Sequence, residues 1–265
     1  MLLHTKTAKA TVWALVAITV ALLIGAPLVV TVLAAFAGSW NSALPSDPTL
    51  EHVAGAFAQD NLASLLVSLQ TATLASLTAV VVGTWAALAA ASAPIRVAKV
   101  ADAVFHLPAA VPSVVVGLSL LSAFSKAPLL LNGTVAIVVL AQTLLVLAFA
   151  YNTVSAAAAG ADPLLPLAAS SLGAGRLRVL LTVRLPVLLP SIAAATGLAL
   201  ALCMGELGAT VMVYPASWRT LPVTIFALVD RGSLFDAAAN TLVLMAVTVA
   251  VLAAIAAFRG KARVR

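Results

Sequence analysis

The chain has 265 residues, 63% of them hydrophobic and 8% charged, with a mean hydropathy of +1.18 and a formal net charge of +6. No water-soluble core needs so much apolar surface, and a membrane barrel would alternate in segments of about ten residues where this chain runs continuously apolar. Lys and Arg flank the apolar runs and form no soluble patch, so they speak for orientation in a bilayer and against nucleic-acid binding.

A hydrocarbon core about 30 Å thick takes a helix of roughly 20 residues. Runs of that length predict an all-α polytopic membrane protein, a single domain over 1–265 with six transmembrane helices at about 11–37, 62–92, 103–124, 135–157, 191–213 and 237–258. The first run follows MLLHTKTAKA and is too long for a cleaved signal segment, whose apolar part is about 7 to 15 residues, so it reads as an uncleaved span. The connection after it holds Asp47, Glu51 and Asp60 without Lys or Arg, which predicts the outer side. Trp40 there suits an interfacial anchor. His52 has no second ligand-type residue one helical turn away and reads as a solvated or interfacial histidine, not a metal ligand.

The second span, rich in Ser, Thr and Ala, suits a helix packed closely against others. Its Gln70 fits an interhelical hydrogen bond, with the lining of a path as the alternative. The third span opens with HLPAAVPSVVVGLSLL, where Pro108 and Pro112 each remove a backbone donor and should bend or break the helix. Inside a membrane, freed carbonyls must face protein or water, which makes both prolines candidates for a path. His106 just before them reads as an inner-interface residue. Asn132 and Gly133 mark a turn before the fourth span, which carries Gln142 and ends near Tyr151 and Asn152.

A polar break follows at about 158–190, AAGADPLLPLAASSLGAGRLRVLLTVRLPVLLP, with Arg176, Arg178 and Arg184 against Asp162 alone. Pro163 and Pro166 suit a helix start, Leu167 to Leu172 its body, and Gly173 and Gly175 its stop. With this loop, the N-terminus, the second connection and the C-terminus hold eleven Lys and Arg, the last four being Arg259, Lys261, Arg263 and Arg265. The opposite side has three, Lys126, Arg219 and Arg231. That asymmetry predicts both termini and the loop in the cytoplasm, where an intracellular partner would dock on the loop.

The fifth span contains LALCMGELGATVMVYP, in which Glu206 stands between Gly205 and Gly208, shortly before Thr210. A carboxylate within a span costs several kcal/mol and normally faces a bundle interior or a watered cavity, so Glu206 is expected at a pathway or in a polar contact beside it. A place near the outer interface, or a protonated acid bonded to a neighbouring helix, are the alternatives. Cys203 is the only cysteine, forms no intrachain disulfide and reads as a small span residue. The later LPVTIFALVD is too short to span and suits an interfacial or re-entrant outer helix.

The polar break resembles the cytoplasmic loop of permease subunits of bacterial binding-protein-dependent ATP-binding-cassette importers, whose signature is Glu-Ala-Ala, three residues, Gly, nine residues, then Ile, any residue, Leu-Pro. Ala168 and Ala169 match the alanines, Gly173 the glycine, Val183 stands for the isoleucine, and Leu185 with Pro186 closes the motif. Leu167 occupies the glutamate position, so an ionic contact from there is not expected. The resemblance implies a coupling helix between the fourth and fifth spans that docks on an ATPase through Leu167, Ala168, Ala169, Gly173, Arg176, Arg178, Leu185 and Pro186. It also implies a translocation path that includes Gly205, Glu206, Gly208, Thr210, Pro108 and Pro112. Gly-Glu-Leu-Gly-Ala-Thr is similar to permeases for molybdate, sulfate and phosphonate, and Tyr-Pro-Ala-Ser-Trp-Arg-Thr-Leu-Pro to those of 2-aminoethylphosphonate importers.

A P-loop pattern is missing from the sequence, so ATP would be bound and hydrolysed by a separate ABC ATPase subunit. An extracytoplasmic substrate-binding protein and a second permease copy or paralogue would complete the assembly in the bacterial cytoplasmic membrane. The permease itself would have no catalytic residues, no metal and no cofactor. From another class, an ion-coupled secondary transporter would use Glu206 as its coupler and usually show paired broken helices in internal repeats. Only the third span is clearly interrupted. A membrane-embedded hydrolase would need a Ser or Asp beside a His, and none of His4, His52 or His106 has such a partner within a span.

Overall fold

The computed structural model describes residues 6–262, so His4, Arg263 and Arg265 lie outside the described residues, as do the side chains of Lys6, Arg259 and Lys261. Five helices are long and apolar enough to cross a bilayer: Lys9–Ala35, Gln59–Ala91, Val135–Ala159, Arg176–Met204 and Leu234–Ala257. A sixth crossing is reached if the bent pair Ile95–Ala110 and Ser113–Ala123 is one broken span. The chain divides into two compact units, one made of the residues up to Leu62 with Thr224–Met245, the other of Ala63–Val223 with the residues from Ala246 on.

In the first unit, α1 (Lys6–Val20) and α2 (Ala26–Ala35) are joined by a π-helical turn at Ala21–Gly25. The turn lies just ahead of Pro27, which has no N–H for the carbonyl of Leu23 and whose ring would crowd it; the wider turn absorbs both effects. Apolar side chains such as Trp13 and Leu23 are exposed along this helix, a surface suited to lipid. Next comes a ribbon of β1 (Ala37–Ser39) and β2 (Ser46–Pro48), antiparallel with Ala37 opposite Pro48. It departs from the all-α expectation, since three-residue strands carry no readable alternation. The short helix α3 (Glu51–Ala56) holds His52, whose Nδ1 lies 2.6 Å from Asp236 Oδ1 at the start of the long helix Leu234–Ala262. His52 is therefore paired, with a carboxylate 184 residues away that no local pattern reveals.

The second unit is built around α4 (Gln59–Ala91), α7 (Val135–Ala159) and α10 (Leu185–Met204). One face of α4 buries Thr71, Ala72, Ala75, Ser76, Ala79, Gly83 and Ala87, while Leu74, Leu77, Val81 and Trp85 are exposed. Helical spacing puts the small residues on one stripe and lets a neighbour approach: a Cβ on Gly83 would lie 2.9 Å from the Tyr151 nitrogen of α7. Gln70 falls on the exposed face and makes no interhelical hydrogen bond among the described residues.

The third predicted span is broken as expected. After α5 (Ile95–His106) and a 3₁₀ turn at Leu107–Ala110, the chain bends by 101° into α6 (Ser113–Ala123). The region read as a loop at 158–190 is different. It holds α8 (Leu164–Ser171), but from Arg176 the backbone runs as one helix through α9 (Arg176–Val179), a π-helical turn at Leu180–Arg184 and α10. The span predicted fifth thus starts before the expected 191, and its long helix ends at Met204, not near 213. Pro186 and Pro190 look like helix breakers, but the π-helical turn lies immediately ahead of Pro186, where the i−4 hydrogen bond is lost. Pro186 and Pro190 both remain inside the helix.

Candidate translocation path and coupling surface

The helix Arg176–Met204 stops at Gly205, and the chain re-forms a helix at α11 (Thr210–Val213). Glu206 organises this break. Its Oε1 accepts from the Ala209 N–H at 2.7 Å, and its Oε2 accepts from the Thr210 N–H at 2.9 Å and the Thr210 hydroxyl at 2.5 Å. The carboxylate satisfies donors that the start of a helix leaves without carbonyl partners. Thr210 Oγ1 also accepts from Gln142 Nε2 of α7 at 3.1 Å, and both of these residues are buried. Of the alternatives the sequence left for Glu206, the structure contains a polar contact within its own segment, extended to a neighbouring helix through Thr210.

The bend of α5 and α6 faces this break. A Cβ on Gly117 of α6 would lie 2.8 Å from the Ala209 carbonyl oxygen, and one on Gly208 would run into Ser113. Gly117 is thus required by close backbone approach, whereas Gly208 makes room for the Ser113 side chain. Between the two interruptions lies a cavity of about 440 Å³, lined by Pro108, Val111, Ser113, Phe149, Gly205, Glu206 and Gly208 among others. Pro108, Gly205, Glu206 and Gly208 therefore meet in one place, though about 100 residues separate the two segments. Pro112 caps α6 beside the cavity, and Thr210 stands behind Glu206.

Several polar anchors of this region escape a linear reading. Trp218 Nε1 donates to Thr71 Oγ1 at 2.8 Å, and the Leu221 N–H donates to the buried Ser68 Oγ at 2.7 Å, so α4 holds the segment that follows the break. The Tyr151 hydroxyl donates to Asp102 Oδ1, and the Phe105 ring stacks on Tyr151 at 4.8 Å, tying α5 to α7. The only available signal was a set of hydroxyls and amides inside apolar runs, which does not name partners. No group of three or more His, Cys, Asp or Glu placed to hold a metal occurs among the described residues.

At the other end of α10 lies α8, eight residues long and without a buried side chain. Leu164, Leu165, Leu167 and Leu172 are all exposed. The helix closes as the sequence suggests: the Gly173 N–H donates to Ser170 O at 3.0 Å and the Ala174 N–H to Ala169 O at 3.1 Å, with Gly173 at a φ of 84°. This double bond pattern needs a left-handed residue, which glycine adopts without strain. Ala168 is exposed and Ala169 half-buried; Arg176 and Arg178 are exposed on the first turn of the following helix. Leu185 and Pro186 lie inside that helix and not on α8, so the second half of the sequence motif is part of the crossing.

Residues 79–262 match the family model of the binding-protein-dependent transport system inner membrane component. The chain belongs to this family and is an ABC importer permease. It is 46% identical over 222 residues, 84% of each chain, to the putative 2-aminoethylphosphonate transport system permease protein PhnV of Salmonella typhimurium. It is also 33% identical over 205 residues to the molybdenum transport system permease protein ModB of Mycobacterium tuberculosis, covering 71% of this chain and 76% of that one. Its fold is similar to that of a bacterial ABC transporter involved in the import of the acidic polysaccharide alginate, with a TM-score of 0.78 at 16% identity and 96% of both chains covered.

Proposed function

We propose that this chain forms the translocation path of an importer for 2-aminoethylphosphonate. The observation that carries this reading is the 46% identity with the putative 2-aminoethylphosphonate permeases over 84% of both chains, against 33% for the molybdenum permease over a shorter stretch. In this reading the crossings are six, both termini are cytoplasmic, and the path runs past Pro108, Pro112, Gly205, Glu206, Gly208 and Thr210. Glu206 acts there as a fixed structural acid. Its three donors leave it poorly suited to bind and release an ion on every turnover, which speaks against a secondary transporter.

The exposed leucines of α8 with Ala168 and Ala169 then form the contact with an ATPase subunit, Gly173 shapes the exit of that helix, and Arg176 and Arg178 reach acidic groups at its edge. Leu185 and Pro186 support this surface from inside the crossing. Coupling at Leu167 is apolar. A binding protein on the outer side delivers substrate, and a second permease copy or paralogue completes the path. Molybdate or sulfate is the second reading, favoured by the molybdenum permease relatives. Uptake by the complex reconstituted with its ATPase and binding protein decides between them: 2-aminoethylphosphonate should accumulate and compete with itself, with molybdate and sulfate inert. Competition by molybdate without accumulation of 2-aminoethylphosphonate would overturn the assignment.

A further inference from the structure

A groove of about 920 Å³ opens between the end of α4, α8 and the start of the Arg176–Met204 helix. Its wall is apolar: the crossings supply Trp85, Leu88, Val183 and Val187, and α8 closes the other side with Leu165, Pro166 and Leu167. Its rim is polar, with Ser92, Asp162, Arg176 and Arg184. Arg184 is half-buried, and its Nη1 donates to Ser92 Oγ at 3.1 Å. Neither Arg184 nor Arg176 has a carboxylate oxygen within 4.0 Å among the described residues. The one acid on the rim, Asp162, accepts from the Leu164 N–H.

A guanidinium carries five donors, and holding such a cation half out of water without an anion is unfavourable. An anion supplied by another molecule resolves this. The side of the wall formed by Trp85, Leu88, Val183 and Val187 restricts which molecule, because it belongs to helices that stand among acyl chains, whereas a free phosphate would have no use for it. We propose that the groove binds one anionic phospholipid, with its phosphate at Arg184 and Arg176 and an acyl chain along Trp85, Leu88, Val183 and Val187. Basic pockets between membrane helices select anionic headgroups in this way. The lipid fills the space beside α8 and steadies that helix against the crossings. This site goes beyond the transport reading and needs only that α4 and the Arg176–Met204 helix cross a bilayer.

Native mass spectrometry of the full chain tests it, after delipidation and incubation with phosphatidylglycerol or with phosphatidylcholine of the same acyl chains. One phosphatidylglycerol per chain should be retained in preference to phosphatidylcholine. Arg184→Ala should reduce that retention about fivefold, the factor one basic residue near a lipid surface is worth. Val183→Trp, which keeps both arginines and fills the groove, should lower retention of either lipid, and a cooperative melting transition shows that each variant is folded. Equal retention of the two lipids, or retention unchanged by both substitutions, overturns the proposal. So does efficient cross-linking of a cysteine at Val187, in a Cys203→Ala background, to an ATPase subunit or a second copy, since a protein would then fill the groove.

Discussion

Pro108 and Pro112 stand four residues apart, as do Pro186 and Pro190, yet the first pair ends a helix and the second lies inside one. At the first pair the chain turns by 101°, with Val111 extended at φ −100° and ψ 132°. At the second, Leu185 remains helical at φ −62° and ψ −46°, and the π-helical turn at Leu180–Arg184 takes up the missing bond. The residue before a proline is pushed out of the helical region by the clash of its Cβ with the ring, and a β-branched side chain such as Val111 is the less able to relieve it. Leu185 or Leu189, branched only at Cγ, bears it more easily. Packing adds to the difference: α6 rests directly on the break after Gly205, while α10 continues as a packed crossing. Proline spacing alone therefore does not decide whether a membrane helix opens; the preceding residue and the surface waiting for the bend do.

The largest expected effect comes from separating the two surfaces that hold the bend. Gly117→Val would drive side-chain atoms into the backbone of Ala209, and should lower stability by about 3 kcal/mol, at the upper end for overpacking. A depressed thermal midpoint in detergent checks it. Glu206→Ala should come next, at about 2 kcal/mol, since the N–H groups of Ala209 and Thr210 lose their acceptor. Glu206→Gln keeps one oxygen acceptor and should cost about half as much. Equal costs for Gln and Ala would mean that the charge, and not the capping geometry, holds the break. Pro186→Ala should change stability by less than about 1 kcal/mol, because the helix already passes through that position. Slowed hydrogen exchange around 180–184 would show the π-helical turn closing to an ordinary one. Leu167→Ala should leave the stability of the chain unchanged, as its side chain is 62% exposed. It should weaken ATPase co-purification with little dependence on salt, an outcome opposite to that of a lost ionic contact.

The sequence was informative where chemistry is local. Gly173 announces the end of α8, Pro108 and Pro112 announce the bend, and Glu206 stands out as a polar site, because each rests on the conformational limits of one residue or on the cost of one charge; the break in the helix at Gly205 was not announced. What remained hidden depends on distant partners. Gln142 to Thr210, Ser68 to the Leu221 backbone, Thr71 to Trp218 and His52 to Asp236 are pairs between 68 and 184 residues apart, and nothing local to either member names the other. The start of the Arg176–Met204 helix was hidden for another reason. Arginines at 176, 178 and 184 and prolines at 186 and 190 all argue for a loop, and the helix accepts Arg176 and Arg178 at its exposed first turn, Arg184 half-buried beside Ser92, and the prolines by widening one turn.

The role of Glu206 separates an ATP-driven path from an ion-coupled one, and one measurement reaches it directly. The permease, its ATPase and its binding protein are reconstituted in proteoliposomes, and uptake of labelled 2-aminoethylphosphonate is followed with and without ATP, with and without a proton gradient, for the wild type and Glu206→Gln. The expected result is uptake that requires ATP, ignores collapse of the gradient and persists at a reduced but measurable rate in Glu206→Gln. Uptake that proceeds without ATP, follows an imposed proton gradient and disappears in Glu206→Gln would contradict it.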